Sequence, residues 1–205
     1  MEALQQAEAR VLGCLLEKQL ATPQYYPLTL NALLAACNQS SNREPVTDYA
    51  ESEVAGALAG LREQGLVRVV HSSGNRVPKY RHVLDETWGL DEAHRAVLAV
   101  LLLRGPQTLG ELRARTDRMA TFAGLEEIEE VLRLLSVREQ PLARQLERQP
   151  GQKEARYAEL LSGEVPLAMP RREPTGPGLA ERVAVLEETV AALQASVEEF
   201  RALLE

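Results

Sequence analysis

The stretch PLTLNAL at residues 27–33 is respelled as PQTLGEL at residues 106–112, 79 positions later. In both copies a threonine, Thr29 or Thr108, stands where a helix begins, and its side-chain oxygen is placed to satisfy amides that have no intrahelical partner. In the second copy Glu111 sits three residues on and completes a capping box. The residues on either side repeat as well. Before the first copy, Val11, Leu12, Leu15 and Leu16 mark one stripe of a helix that stops at Thr22-Pro23. Before the second, Asp91 caps a helix carrying Val97, Leu98, Leu101 and Leu102, which stops at Gly105-Pro106.

Downstream, Val54, Leu58 and Leu61 form a stripe with steps of four and three that Ile128, Leu132 and Leu135 reproduce. Asp48 with Glu51 resembles a capping box ahead of the first of these helices, and Gly65 closes it. Leu66–His71 is β-branched and too short for a comfortable helix, Lys79–Val83 resumes the extended character after turn chemistry at 72–75, and 142–148 with 155–161 flank the turn Gln149-Pro-Gly-Gln152 as a second hairpin. The order is helix, helix, helix, hairpin, twice over. That is the layout of a winged helix, a helix-turn-helix variant whose hairpin is the wing. The pattern predicts a mainly α fold with small β-hairpins (α+β): winged-helix domains over 1–86 and 87–161, each with its own core.

The remaining residues divide in two. Residues 162–178 hold four prolines and three glycines, a linker composition. From there Leu179, Val183, Leu186, Val190, Leu193, Val197, Phe200 and Leu204 alternate steps of four and three over 179–205, with the valines at a and the leucines mainly at d. The spacing predicts a parallel two-stranded coil and hence a homodimer; a helix folded back onto the domains is the alternative.

The 205 residues carry a formal charge of −7, with 45% apolar and 26% charged residues. The charge is uneven: residues 1–85 hold 8 basic and 9 acidic side chains, whereas 162–205 hold 4 and 8. A generic polyanion binder is disfavoured, because that affinity comes from many lysines and arginines. The longest apolar run, Ala96–Leu103, is too short to cross a bilayer, and the N-terminus does not read as a leader, so a cytoplasmic protein without membrane contact is expected. Cys14 and Cys37 lie in apolar helical patterns and are assigned to packing. The three histidines, His71, His82 and His94, are dispersed, with no metal-ligand spacing and no triad, and no phosphate-cradling glycine motif occurs. No enzyme chemistry, cofactor or metal is indicated.

EARVLGCLLEK at 8–18, TPQYYPLTLNALLAACNQSSNREPV at 22–46, GNRVPKYRH at 74–82 and LLLRGPQTLGELRART at 101–116 together resemble the YceH-like family of uncharacterised bacterial proteins. The resemblance spans roughly residues 4 to 161. It implies two winged-helix domains and a link to DNA binding or transcription regulation.

In winged helices that read DNA, the third helix enters the major groove and the wing touches the backbone. Here the first such helix, ESEVAGALAGLREQ, is acidic and rich in small residues, and the second, GLEEIEEVLRLL, carries Glu126, Glu127, Glu129 and Glu130. Donors lie elsewhere. Asn42 and Arg43, in the polar run 38–43, and Arg68, Arg76, Lys79 and Arg81 of the first wing are the candidate contacts to double-stranded DNA. The bland reading has the polar run bracing its own turn and Arg43 pairing with Glu51 or Glu53. Tyr25 and Tyr26 are expected to pack beside Pro27, and Arg113, Arg115 and Arg118 to form a solvated face. The rival functional reading is an assembly module that docks a protein partner on acidic helices without touching DNA.

Overall fold

A computed structural model describes residues 2–71, 77–148 and 152–163, together with Gln194. The chain divides into two compact units, Met1–Val165 and Pro166–Glu205, and every named element lies in the first. Candidate contact Arg76 and the eight heptad positions from Leu179 to Leu204 lie outside the described residues, as does the Pro/Gly-rich segment from residue 164 onward.

The first set of elements is α1 (Gln6–Ala21), a short 3-10 turn (Pro23–Tyr25), β1 (Leu28–Thr29), α2 (Leu30–Cys37), α3 (Glu51–Glu63), β2 (Val67–Val70) and β3 (Lys79–His82). A five-residue helix, α4 (Leu84–Trp88), leads to the second set: α5 (Glu92–Arg104), α6 (Leu109–Thr116), α7 (Leu125–Ser136), β4 (Ala143–Gln145) and β5 (Tyr157–Glu159). The repeated threonines act alike. Thr29 Oγ1 accepts from the Ala32 amide at 3.3 Å, and Thr108 Oγ1 accepts from the Glu111 amide at 3.2 Å, with the Glu111 carboxylate accepting back from Thr108 N at 3.0 Å. Both helices run eight residues.

Each hairpin also gains a third extended segment that the pattern did not reveal. β1 pairs antiparallel with β3, giving the order β1-β3-β2. At the equivalent place Gln107 bridges Tyr157 of β5, with N–H to O distances of 2.9 and 2.7 Å. Two residues are too few to carry an alternation, so such strands are invisible to periodicity. The offset between repeats is 79 residues at α2 and α6 but 74 at α3 and α7, because the loop 38–50 is five residues longer than 117–124.

The expected twin cores meet in one continuous buried cluster. Its centre is the pair α1 and α5. Residues 96–103 of α5 are all buried, as are 9–16 of α1, so both helices are wrapped on every side. They approach closely at Gly13, where an added Cβ would lie 2.9 Å from Leu103 Cγ and 3.0 Å from Leu102 Cβ. The N-terminus is tied to the end of the second repeat by Leu4 N donating to Leu161 O at 2.7 Å.

One helix start is displaced. Asp48 does not cap α3, which begins at Glu51; Glu53 instead accepts from the Ala50 amide at 2.8 Å. No described helix is long and apolar enough to cross a membrane.

Candidate nucleic-acid interface

The register of the first hairpin decides which side chains share its outer face. Val67 lies opposite His82 and Val69 opposite Tyr80; Val67 and His82 are buried against the helices. The alternate positions therefore point outward: Arg68 opposite Arg81, and Val70 opposite Lys79, which also faces Thr29 of β1. Arg68, Lys79 and Arg81 form one cationic face.

Two arginines directly opposite one another repel. Glu86 of α4 relieves this by reaching across both: Arg68 Nη1 donates to Glu86 Oε2 at 2.8 Å, and Arg81 Nη2 donates to Oε1. Those hydrogen bonds, Arg81 first, hold the exposed Glu86 carboxyl below the usual carboxylate range. Asp85 lies 4.0 Å from Arg81 and 3.8 Å from Arg95, so both carboxylates of α4 serve arginines. Nothing in the spelling LDETW announces this role, because it arises from how α4 folds back beside the hairpin.

On the inner face, His82 is fully buried. Its Nδ1 accepts from the Leu84 amide at 3.2 Å, so Nε2 carries the proton and donates to Gln19 Oε1 at 2.6 Å. Burial pushes the His82 pKa down to about 4, against the opposing pull of Asp85. The same Gln19 oxygen accepts from Arg95 Nη1 at 2.6 Å. Tyr26 OH accepts from the His82 amide at 2.8 Å, and burial raises its phenol pKa. Packing holds for Tyr26. Its neighbour Tyr25, at the end of the 3-10 turn, is 71% exposed, contrary to the expectation of packing.

The polar loop is held from within by two buried arginines. Arg43 donates from Nε to Ala36 O at 2.9 Å, from Nη1 to Glu17 Oε1 at 3.1 Å and from Nη2 to Glu17 Oε2 at 2.7 Å. It is turned inward to α1, and its partner is Glu17 rather than Glu51 or Glu53. Arg10, which the sequence reading passed over, donates to Cys37 O, Thr47 Oγ1 and Pro45 O at 3.1, 3.2 and 2.6 Å. Asn42 adopts φ +60°, a left-handed conformation that asparagine tolerates, and its Oδ1 accepts from Arg104 Nη2 at the end of α5. Of the six candidate contacts, the structure gathers Arg68, Lys79 and Arg81 on one face and places Asn42 and Arg43 in internal bonds; Arg76 is outside the described residues.

Outward positions on α3 include Glu51, Ser52, Ala55, Gly56, Ala59, Arg62 and Glu63. The second repeat is more acidic at the corresponding place. Glu126, Glu129 and Glu130 of α7 line a cleft of about 390 Å³ with Arg133, Gln145 and Tyr157. Glu130 is paired with Arg133 at 2.6 Å, while Leu134 and Val137 stand exposed near the C-terminus of α7. On α6, Arg115 lies 3.9 Å from Glu111, which also accepts from Arg156 Nη1 at 2.9 Å. Met119 and Phe122 are buried beneath. Among the described residues no three His, Cys, Asp or Glu side chains converge on a point that would hold a metal. Both cysteines are free and buried, and the Cys37 thiol pKa is raised by its hydrogen bond to Cys14 and by burial.

The family model for the protein of unknown function DUF480 matches residues 4–152, nearly the whole of the two repeats. The chain belongs to this family. Among its DUF480 relatives, a UPF0502 protein of Geobacter sulfurreducens is 53% identical over 194 residues, covering 95% of this chain and 88% of the relative. UPF0502 proteins of Chromobacterium violaceum and Solibacter usitatus are 50% and 47% identical, covering 95% and 97% of this chain and 89% and 96% of the relatives. The similarity runs nearly end to end, so this chain resembles its relatives in arrangement as well as in local motifs.

Proposed function

We propose that this DUF480 protein binds double-stranded DNA non-catalytically, as a transcription-associated factor of two winged helices, and that its C-terminal heptads make it a homodimer in the cytoplasm. The observation that carries the reading is the hairpin register, which sets Arg68, Lys79 and Arg81 on one outward face. Phosphate contact needs such a cationic face, and the affinity it supplies is sequence-independent and sensitive to salt. The two threonine-capped helices, each followed by a further helix and a β-ribbon, support the winged-helix reading. Base reading by α3 is poorly supported, since its outward positions offer Glu51, Glu63 and small residues. Backbone contact through the hairpin is the mode that fits. Anisotropy titration of a labelled duplex tests it: wild-type protein binds at low salt, and changing Arg68, Lys79 and Arg81 to alanine together abolishes binding.

A second reading is favoured by one observation, the acidic cleft along α7 with exposed Leu134 and Val137 beside it. In this reading the second repeat docks a protein partner. Absence of measurable duplex binding at low salt, together with a protein partner that wild type recovers by pull-down and a Glu126→Lys, Glu129→Lys variant loses, supports it.

A further inference from the structure

Among the described residues the first repeat and α4 hold two arginine–glutamate clusters, and they differ in one decisive way. The Arg43–Glu17 pair is sealed, with side chains 0% and 12% exposed. Arg68, Arg81 and Glu86 are open, at 64%, 28% and 43%. In the open cluster two guanidiniums from neighbouring strands converge on the two oxygens of one carboxylate, Arg68 on Oε2 and Arg81 on Oε1. A carboxylate and a phosphodiester offer a guanidinium the same target, two anionic oxygens sharing one charge.

We propose that Glu86 is an internal competitor for a DNA phosphate, occupying the position between Arg68 and Arg81 that the nucleic-acid backbone takes in the complex. The inference rests on the reading of this face as the DNA contact surface and adds how that surface is restrained. Glu86 is well placed to yield. It lies on α4, a helix of only five residues, and its exposed side chain swings into solvent by rotation alone, without moving the backbone. Exposed ion pairs are weak, so an incoming phosphate displaces the carboxylate, whereas a buried pair would refuse. Lys79 lies two residues before Arg81 on the same strand face, roughly 6.6 Å along it. It has no ion pair among the described residues. Lys79 therefore offers a standing point of attachment, and the arginines join once Glu86 leaves. In this arrangement DNA binding and the Glu86 contact exclude one another, while Asp85 stays within 4.0 Å of Arg81, and α4, which carries both carboxylates, is the segment that joins the two repeats.

The test uses the full chain and a labelled random-sequence duplex, followed by anisotropy over a salt series. Glu86→Gln keeps the side-chain shape but removes the competing charge, and Glu63→Gln, on exposed α3, makes the same change in net charge elsewhere. The expected result is that Glu86→Gln binds about 3- to 10-fold tighter with a steeper salt dependence. Glu63→Gln stays within about twofold of wild type, and adding Arg68→Ala to Glu86→Gln cancels the gain. Equal effects of the two glutamine substitutions, or a gain that survives Arg68→Ala, overturn the proposal. If neither wild type nor Glu86→Gln binds duplex at low salt, the DNA reading fails by itself, and inorganic pyrophosphate then probes the cluster directly. Trp88, the protein's one tryptophan, lies two residues from Glu86 and reports through its fluorescence. A saturable change in Glu86→Gln that Arg81→Ala removes sustains the phosphate position, and no change overturns it.

Discussion

Arg43 and Glu17 form a bidentate ion pair, at 3.1 and 2.7 Å, beneath the loop 38–50, with the arginine side chain sealed from solvent. Removing one partner strands the other's charge, so Arg43→Ala is expected to destabilise by about 3 to 5 kcal/mol. Replacing both with apolar residues, Arg43→Met with Glu17→Leu, is expected to recover much of that loss. Urea denaturation of the three variants measures it. An Arg43→Ala protein as stable as wild type would mean that Arg10, the Asn38–Tyr49 hydrogen bonds and the Asn42–Arg104 contact brace the loop without the ion pair.

The inner face of the first hairpin carries a pH dependence of definite sign. His82 is neutral in the fold, with its pKa lowered to about 4 from 6.5, while Asp85, Glu86, Arg81 and Arg95 surround it. The unfolded chain binds the proton more readily, so stability is fully present above about pH 6.5 and is lost progressively as pH falls toward 4. The expected loss is roughly 3 kcal/mol. His82→Asn removes this component, so the difference in unfolding free energy between wild type and variant shrinks as pH falls from 7 to 4.5. A difference independent of pH contradicts the assignment.

Two glycines on exposed and buried helix faces predict opposite signs. Gly13→Ala forces a Cβ to within 3.0 Å of Leu102 and Leu103 on α5, and is expected to lose about 1 kcal/mol net, overpacking outweighing better helix propensity. Gly56→Ala meets nothing within 4 Å and is expected to gain up to about 1 kcal/mol. Melting temperatures of the two variants should move in opposite directions.

Much of this arrangement was legible because caps and stripes are local. Thr29, Thr108 and Asp91 each cap the helix their spelling announces, and the stripe of Val54, Leu58 and Leu61 is buried as a unit. What was not legible depends on partners far away in sequence. Arg43 reads as a surface donor until α1 brings Glu17 beneath it, 26 residues earlier. Arg104 and Asn42 meet across 62 residues. Glu86 becomes the counterion of a hairpin only when a five-residue helix, too short to show a period, folds back. In the sequence the all-apolar run Ala96–Leu103 speaks only to a bilayer, which it is too short to cross, whereas the fold buries it on every side. Recognising that α1 was the neighbour sealing it, and so joining the cores, required the structure.

The heptads predict oligomeric state without any structural input. Val183, Val190 and Val197 fall on one seam, so Val190→Lys, or deletion of 179–205, is expected to convert a dimer to a monomer. Light scattering at micromolar concentration decides. A wild-type monomer would remove the dimer from the account, leaving the hairpin face unaffected.

The central claim is that the outer face of the first hairpin holds DNA phosphates through Arg68, Lys79 and Arg81. Each phosphate neutralised adds about 0.9 to the slope of log affinity against log salt. The direct measurement compares that slope for wild type and for the triple alanine variant on one duplex. The account predicts a wild-type slope of magnitude about 2 to 3 and no measurable binding by the variant, which therefore has no salt-dependent affinity left. Equal slopes and equal affinities would contradict it.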